Sequence, residues 1–205
     1  MRETGVRCAT VGRARSLTSG RPSRSVPGVP PTLRVAIDLR PLARGPLTGV
    51  GLVLTQILEE LPGRGFAFVG VSDRPIPRGV LPAGVPVRLA EAPGGRILWE
   101  TIALKRLLLG IDPRPDLYHA TWNHGVPKGL PFPSLLLLHD LIPWRLPRFV
   151  PWPRPAPLHR WLYRRAVRAS ARNAAAIITP SKASRSDVAS LLPEAAARTE
   201  VVPWA

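Results

Sequence analysis

Ser134-Leu135-Leu136-Leu137-Leu138-His139-Asp140 decides the fold. The apolar run is of strand length and shows no alternation of polar and apolar residues, so it reads as a strand buried on both faces. A sheet covered on both faces is built from parallel strands joined by crossover helices. The same kind of unit recurs on either side. Toward the N-terminus lie a short strand at Leu117-Tyr118-His119 and a helix over Ile97–Leu109 with Leu98, Ile102 and Leu109 among its apolar positions. Before them come strands at Val85–Leu89 and Phe66–Val71. A helix opened by Gly49-Val50-Gly51 carries Leu54, Ile57, Leu58 and Leu61 at a 3.6-residue period. Pro41, Gly45 and Pro46 break the loop 39–48, and Val35-Ala36-Ile37 is a strand ending in Asp38. Toward the C-terminus follow a helix over Leu158–Asn173, a strand at Ala175–Thr179, a helix over Ser181–Leu192 and a strand at Val201-Val202.

The expected fold is therefore α/β: a Rossmann-like parallel sheet with helices on both faces, over residues 32–205. Residues 1–31 hold six arginines against Glu3 alone and show no hydrophobic period. They read either as a disordered basic tail or as sequence ahead of the true start. The hydrophobic content of 45% suffices for a real core. The formal net charge of +16 is almost all arginine, since the lysines are only Lys105, Lys128 and Lys182. Such an excess bears on partners rather than fold, and a GC-rich genome produces the same arginine, proline and alanine bias. Cys8 is the single cysteine, so neither a disulfide framework nor a cysteine metal site forms within one chain. No apolar run reaches the roughly 18 residues of a spanning helix. Together these point to a cytoplasmic protein, with contact to the inner membrane face left open.

In open parallel sheets ligands sit beyond the carboxyl ends of the strands. That rule singles out four loops. Thr48-Gly49-Val50-Gly51 stands at a helix mouth, where glycine lets backbone N–H groups approach an anion; a tight loop needing glycine for its own backbone gives the same pattern. His139-Asp140 follows the central strand. The imidazole suits proton transfer or sugar hydroxyls and Asp140 could orient it, the alternative being a histidine bonded to loop backbone. His119, Trp122 and Asn123 on the neighbouring loop offer an aromatic platform and amide hydrogen bonds. His119 and His124 without an acidic or cysteine companion make a poor zinc site. Ser181 opens the late helix. Beyond these, eight arginines and no acid lie between Arg145 and Arg172. Arg160, Arg164, Arg168 and Arg172 recur every four residues as one helical stripe. Like charges at this spacing repel, so the stripe favours an anionic partner such as lipid headgroups, or else is a solvated face. Leu158, Trp161, Leu162, Ala166 and Ala169 lie toward another face. Nucleic-acid binding would rest on charge alone, with no recognised module. No Asp-x-Asp and no Gly-x-Ser-x-Gly is present.

Four stretches resemble, in order, the N-terminal domain of the GT-B sugar transferases of glycosyltransferase family 4. They are Arg34-Val35-Ala36-Ile37-Asp38-Leu39-Arg40-Pro41 with Thr48-Gly49-Val50-Gly51; Leu138-His139-Asp140-Leu141-Ile142-Pro143; Ala176-Ile177-Ile178-Thr179-Pro180-Ser181-Lys182-Ala183-Ser184-Arg185-Ser186-Asp187; and Val201-Val202-Pro203. The resemblance implies a retaining, metal-independent transfer of a sugar from a nucleotide-sugar to a hydroxyl acceptor on a cell-envelope glycan or glycolipid. It implies no cofactor, the nucleotide-sugar being a co-substrate. Gly49 and Gly51 would approach the donor diphosphate, His139 and Asp140 would be the catalytic candidates, and His119, Trp122, Asn123 and Ser181 would meet the acceptor. The family's second domain, with its basic pair and E-x7-E glutamates, is not found in these residues. The chain alone is therefore expected to be inactive, needing a second Rossmann-like domain in cis or in trans. Two other readings remain open: a non-catalytic acceptor- or lipid-binding module, and a nicotinamide-dependent oxidoreductase. Leu54 stands where the latter's fingerprint needs a third glycine.

Overall fold

The computed structural model describes residues 32–44, 48–90 and 99–204. The tail expected over 1–31, the breakers Gly45 and Pro46, and Ile97-Leu98 lie outside the described residues. Among the described residues seven strands form one sheet: β1 (Leu33–Asp38), β2 (Phe66–Ser72), β3 (Val87–Leu89), β4 (Leu117–Ala120), β5 (Ser134–Leu137), β6 (Ala176–Thr179) and β7 (Thr199–Val201). Their order is β3-β2-β1-β4-β5-β6-β7, and every pair is parallel. The helices are α1 (Gly49–Glu60), α2 (Leu104–Leu109), the single turn α3 (Ile142–Arg145), α4 (Ala156–Asn173) and α5 (Lys182–Leu191).

β1 shows why the strands lack alternation. Val35 and Ile37 pack with Leu54 and Leu58 of α1. Ala36, pointing the other way, joins Trp99, Leu104, Leu108, Leu136 and Val167. Both faces are dry, so each position is apolar, and each fully buried Leu or Ile contributes about 1.5–3 kcal/mol. Leu54 is 2% exposed within this core, so α1 meets β1 through side chains rather than through a dinucleotide-type glycine contact.

The strand order reverses at β1. The chain leaves β1 for β2 and β3 on one side, then returns to lay β4 on the other. The loops after β1 and β4 diverge there, which opens a crevice at the carboxyl ends.

Boundaries differ from the sequence reading by a residue or two at most elements, and one difference has a physical cause. The helix expected over Ile97–Leu109 is, from Trp99, a π turn (Trp99–Ala103) followed by α2. The wider turn shifts the helical phase by one residue, so that Trp99, Leu104 and Leu108 are buried. Ile102 and Leu109 instead stand 43% and 50% exposed.

Gly70 of β2 gives a test of the packing. A Cβ there would lie 2.1 Å from Leu39 Cδ1, and Leu39 is fully buried. Gly70→Ala is expected to cost about 1–3 kcal/mol by overpacking, read as a lower urea midpoint. Gly49→Ala, with nothing within 4 Å of its Cβ, should leave that midpoint unchanged or higher.

Candidate active site

A cavity of about 360 Å³ sits at the carboxyl end of the sheet. Val50 from the glycine loop, Trp122, Asn123 and His124 from the loop after β4, and His139 and Asp140 after β5 all line it. Pro143, Val150, Trp152 and Tyr163 complete the wall. Three of the four loops singled out from sequence thus meet at one place.

His139 is held from three sides. Its Nε2–H donates to the Thr121 carbonyl at 2.9 Å, which leaves Nδ1 as the lone-pair nitrogen with no hydrogen-bond partner. Its backbone N–H donates to Asn123 Oδ1 at 2.8 Å, and its carbonyl accepts from Ser184 Oγ at 2.8 Å. Trp204 meets the ring edge-on, with centroids 5.1 Å apart. Burial lowers the His139 pKa, and the Thr121 hydrogen bond and the Asp140 charge only partly oppose this. Nδ1, without a partner, is buried in the protein. Asp140 Oδ1 accepts from the Ile142 N–H at 2.9 Å and so caps α3.

The other candidates lie as follows around the cavity. Asn123 lines the cavity, and its amide also bonds within the protein. Its Nδ2 donates to the Asp140 carbonyl at 3.0 Å and to Tyr163 Oη at 3.3 Å. It holds the β4 and β5 loops together. His119 is 7% exposed and lies outside the cavity wall. Burial, with the nearby His139, pushes its pKa down to about 4. Ser181 caps α5 by accepting from Ser184 N–H at 3.1 Å, and its hydroxyl donates to Ser184 Oγ, which in turn carries His139. Trp122 does line the cavity, and Trp152 joins it as an aromatic wall. Gly51 N–H points to Thr48 Oγ1 at 3.5 Å, while Gly49 faces open space at the mouth of α1.

The arginine stripe is mostly exposed but makes contacts within the protein. Arg164 and Arg168 stack on Trp144 at 5.7 and 5.1 Å, and Arg172 pairs with Glu194 at 3.2 Å. Arg160 is half-buried.

Sequence reasoning missed a buried charge chain behind the cavity. Arg40, 1% exposed, donates Nη2 to Asp38 Oδ2 at 2.6 Å and Nη1 to Glu100 Oε1 at 2.5 Å. Its guanidinium lies 4.6 Å over the Trp99 ring. Glu100 in turn meets His124 Nδ1 at 2.9 Å. Burial alone would raise the Glu100 pKa, but its bonds and charge contacts with His124 and Arg40 hold it at about 2. Thr121 Oγ1 donates to the Asp38 carbonyl at 2.6 Å, closing β1 onto the β4 loop. The signal available in sequence was Asp38-x-Arg40, an opposite-charge pair directly after an apolar strand.

Among the described residues no group of three or more His, Cys, Asp or Glu is placed to hold a metal ion, and no helix is long and apolar enough to cross a membrane.

A parallel sheet with this order and a crevice at its reversal point defines a Rossmann-like domain. The family model for Glycosyltransferase Family 4 matches residues 47–205, and the chain belongs to that family. Among solved structures it is similar to Anabaena Alr3699/HepE in complex with UDP and glucose, at 16% identity and a TM-score of 0.53. That match covers 83% of this chain and 44% of the other. It is also similar to S. aureus MnaA in complex with UDP, at 13% identity and a TM-score of 0.45, over 82% of this chain and 44% of that one. The chain thus spans less than half the length of either. The curated proteins contain no match.

Proposed function

We propose that the chain is the acceptor-side half of a retaining, metal-independent glycosyltransferase, moving a sugar from a nucleotide-sugar to a hydroxyl acceptor of a cell-envelope glycan or glycolipid at the cytoplasmic side. The observation that carries this reading is the cavity at the sheet's reversal point, with His139 in its wall. The UDP and glucose held by the similar HepE structure support a nucleotide-sugar as donor.

In this reading His139 faces the transferred sugar from the cavity wall. Gly49 and Gly51, at the mouth of α1, approach the donor diphosphate. Asp140 sets the loop that holds His139, and Trp122 gives the acceptor ring an apolar face. A second Rossmann-like domain, in cis or in trans, supplies the other wall, because a leaving diphosphate needs charge stabilisation from both sides.

The test is turnover of UDP-sugars by residues 1–205 alone and with a second domain supplied. The chain alone should turn over nothing. The pair should transfer with retention of the anomeric configuration, read by NMR, and EDTA should not slow it. His139→Asn should reduce kcat on the order of tenfold to a hundredfold, with little change in the urea midpoint. Steady turnover by residues 1–205 alone, or abolition by EDTA, would sink this reading.

A further inference from the structure

We propose that the acceptor hydroxyl is carried on an uncharged ring whose flat face lies on Trp122, and that the Asp140 carboxylate turns anionic acceptors away. That the ring is an acceptor rests on the transferase reading; the selectivity of the cavity does not.

The charge of the cavity runs against that of the chain. The protein carries 29 lysines and arginines and a formal net charge of +16. None of those cations is among the described residues that line the cavity, where Asp140 is the one acid. Cations on neighbouring segments meet other partners. Arg44 pairs with Asp73 at 2.5 Å, and Arg145 pairs with Asp187. Arg164 and Arg168 lie over Trp144. Of the two histidines in the wall, His124 meets Glu100 at 2.9 Å and His139 Nε2 meets the Thr121 carbonyl.

A phosphate or carboxylate on the acceptor would thus enter a site that offers it a like charge and no side-chain countercharge. Burying a charge without a partner is costly, and a like charge adds to the cost. The mouth of α1 does favour an anion, and in the reading above the donor diphosphate takes that place.

The rest of the wall suits a ring. Trp122, Trp152 and Tyr163 line it together with Val50, Pro143 and Val150. The polar atoms of Trp152 and Tyr163 bond within the protein. Trp152 Nε1–H donates to the Pro147 carbonyl at 3.0 Å, and Tyr163 Oη accepts from Asn123 Nδ2 at 3.3 Å. These two rings also fix each other edge to face, with centroids 5.6 Å apart. Aromatic surfaces held in this way favour the flat face of a sugar or an arene. Asp140 serves the polar side of such a ring. Its Oδ1 accepts from Ile142 N–H at 2.9 Å, and a carboxylate has further lone pairs to accept from a hydroxyl. One side chain thereby receives a hydroxyl and repels an anion.

The test uses the full chain with no sugar donor present. Phenyl β-glucoside and phenyl β-glucuronide share both rings and differ in one carboxylate. Their binding is measured by NMR titration. The glucoside is expected to bind at least about tenfold more tightly. The chain's net positive charge would favour the glucuronide, so a preference for the neutral probe comes from the site itself. Asp140→Asn keeps an oxygen for Ile142 N–H and removes the charge. It should narrow the preference to about threefold or less, with the urea midpoint little changed. Trp122→Leu should weaken the glucoside about tenfold and leave the preference in place. Methyl β-glucoside and benzyl alcohol each carry one ring of the probe, and the one that Trp122→Leu weakens identifies the ring on Trp122. Four results overturn the proposal: no binding of the glucoside; a glucuronide that binds as tightly; a preference that survives Asp140→Asn; or binding that Trp122→Leu leaves intact. Turnover by the two-domain enzyme separates the two readings. Transfer to the glucuronide as readily as to the glucoside removes the selectivity while leaving the transferase reading. Selective binding without any sugar transfer removes the transferase reading while leaving the selectivity of the cavity.

Discussion

Replacing Arg40 with methionine is expected to destabilise the domain by about 3–5 kcal/mol, the usual cost of removing one partner from a buried ion network. The reasoning begins with burial. Asp38 is fully buried, Arg40 is 1% exposed, and the Glu100 side chain is 11% exposed. Arg40 donates to both carboxylates and is the cation between them. Burial opposes its charge, but Asp38 and Glu100 together raise its pKa further above the ordinary arginine value, so it stays ionised. Methionine fills much of the same volume and stacks acceptably on Trp99, so the loss measures the stranded carboxylates rather than a cavity. Arg40→Lys should recover only part of it, since an ammonium lacks the planar fork that reaches Asp38 and Glu100 at once. Arg40→Met with Glu100→Gln should cost less than the sum of the two single changes, because the second removes a charge the first exposed. Urea denaturation of the full chain reads the four variants against the wild type. A loss below about 1 kcal/mol for Arg40→Met would mean that water reaches the network and that it is not a buried pair in this sense.

The same network shows what the sequence could and could not disclose. The sheet was legible because every strand had to be apolar on both faces, and Leu135 to Leu138 or Val35 to Ile37 admit few other readings. The location of the site was legible because topology alone puts it at the carboxyl ends, whatever the residues are. The charge chain was not, because Arg40 and Glu100 are sixty residues apart and charged residues ordinarily face water. A second trace lay in Gly125. Its φ is +103°, and a Cβ there would come within 2.5 Å of Arg40 Nη2, so the chain needs glycine both for the backbone and for the guanidinium beside it. Nothing in the neighbouring sequence identifies that guanidinium.

Asn123 and the arginine stripe illustrate a second limit. Both were read from residue type and local spacing, which report what a side chain can do but not what already satisfies it. The Asn123 amide accepts from His139 N–H and gives both of its protons, to the Asp140 carbonyl and Tyr163 Oη. Arg164, Arg168 and Arg172 find Trp144 and Glu194, which belong to other elements. Pairings across the fold are set by tertiary packing, and a helical period cannot carry them. The π turn at Trp99–Ala103 is the same failure in the backbone: a periodicity argument assumes one period, and one wider turn moves every later residue to a new face.

Acidification from pH 6.5 to 4 is expected to remove roughly 3 kcal/mol of stability through His119 alone, because folding holds its pKa down at about 4. The sign follows from proton binding. His119 in the unfolded chain takes up a proton near the ordinary value of about 6.5. In the folded protein burial and the neighbouring His139 hold it to about 4. Between those values the unfolded state binds more protons, so stability rises with pH across the window and is lost as pH falls through it. His139, shifted in the same direction, adds to the same slope. Glu100 acts in a lower window. Its folded pKa of about 2 lies below the ordinary 4.5, so its contribution is full above 4.5 and is lost as pH falls toward 2. The domain should therefore weaken in two stages, histidine first and carboxylate second. His119→Leu separates them. It keeps a buried apolar side chain at the end of β4 and removes the proton acceptor, so its urea midpoint should change much less than the wild type's between pH 6.5 and 4. Below pH 4 the variant should fall in parallel with the wild type, because Glu100 is untouched. Equal slopes for the two proteins above pH 4 would mean that His119 takes up its proton in the folded state as readily as in the unfolded one, and so is not shut away from water at the end of the sheet.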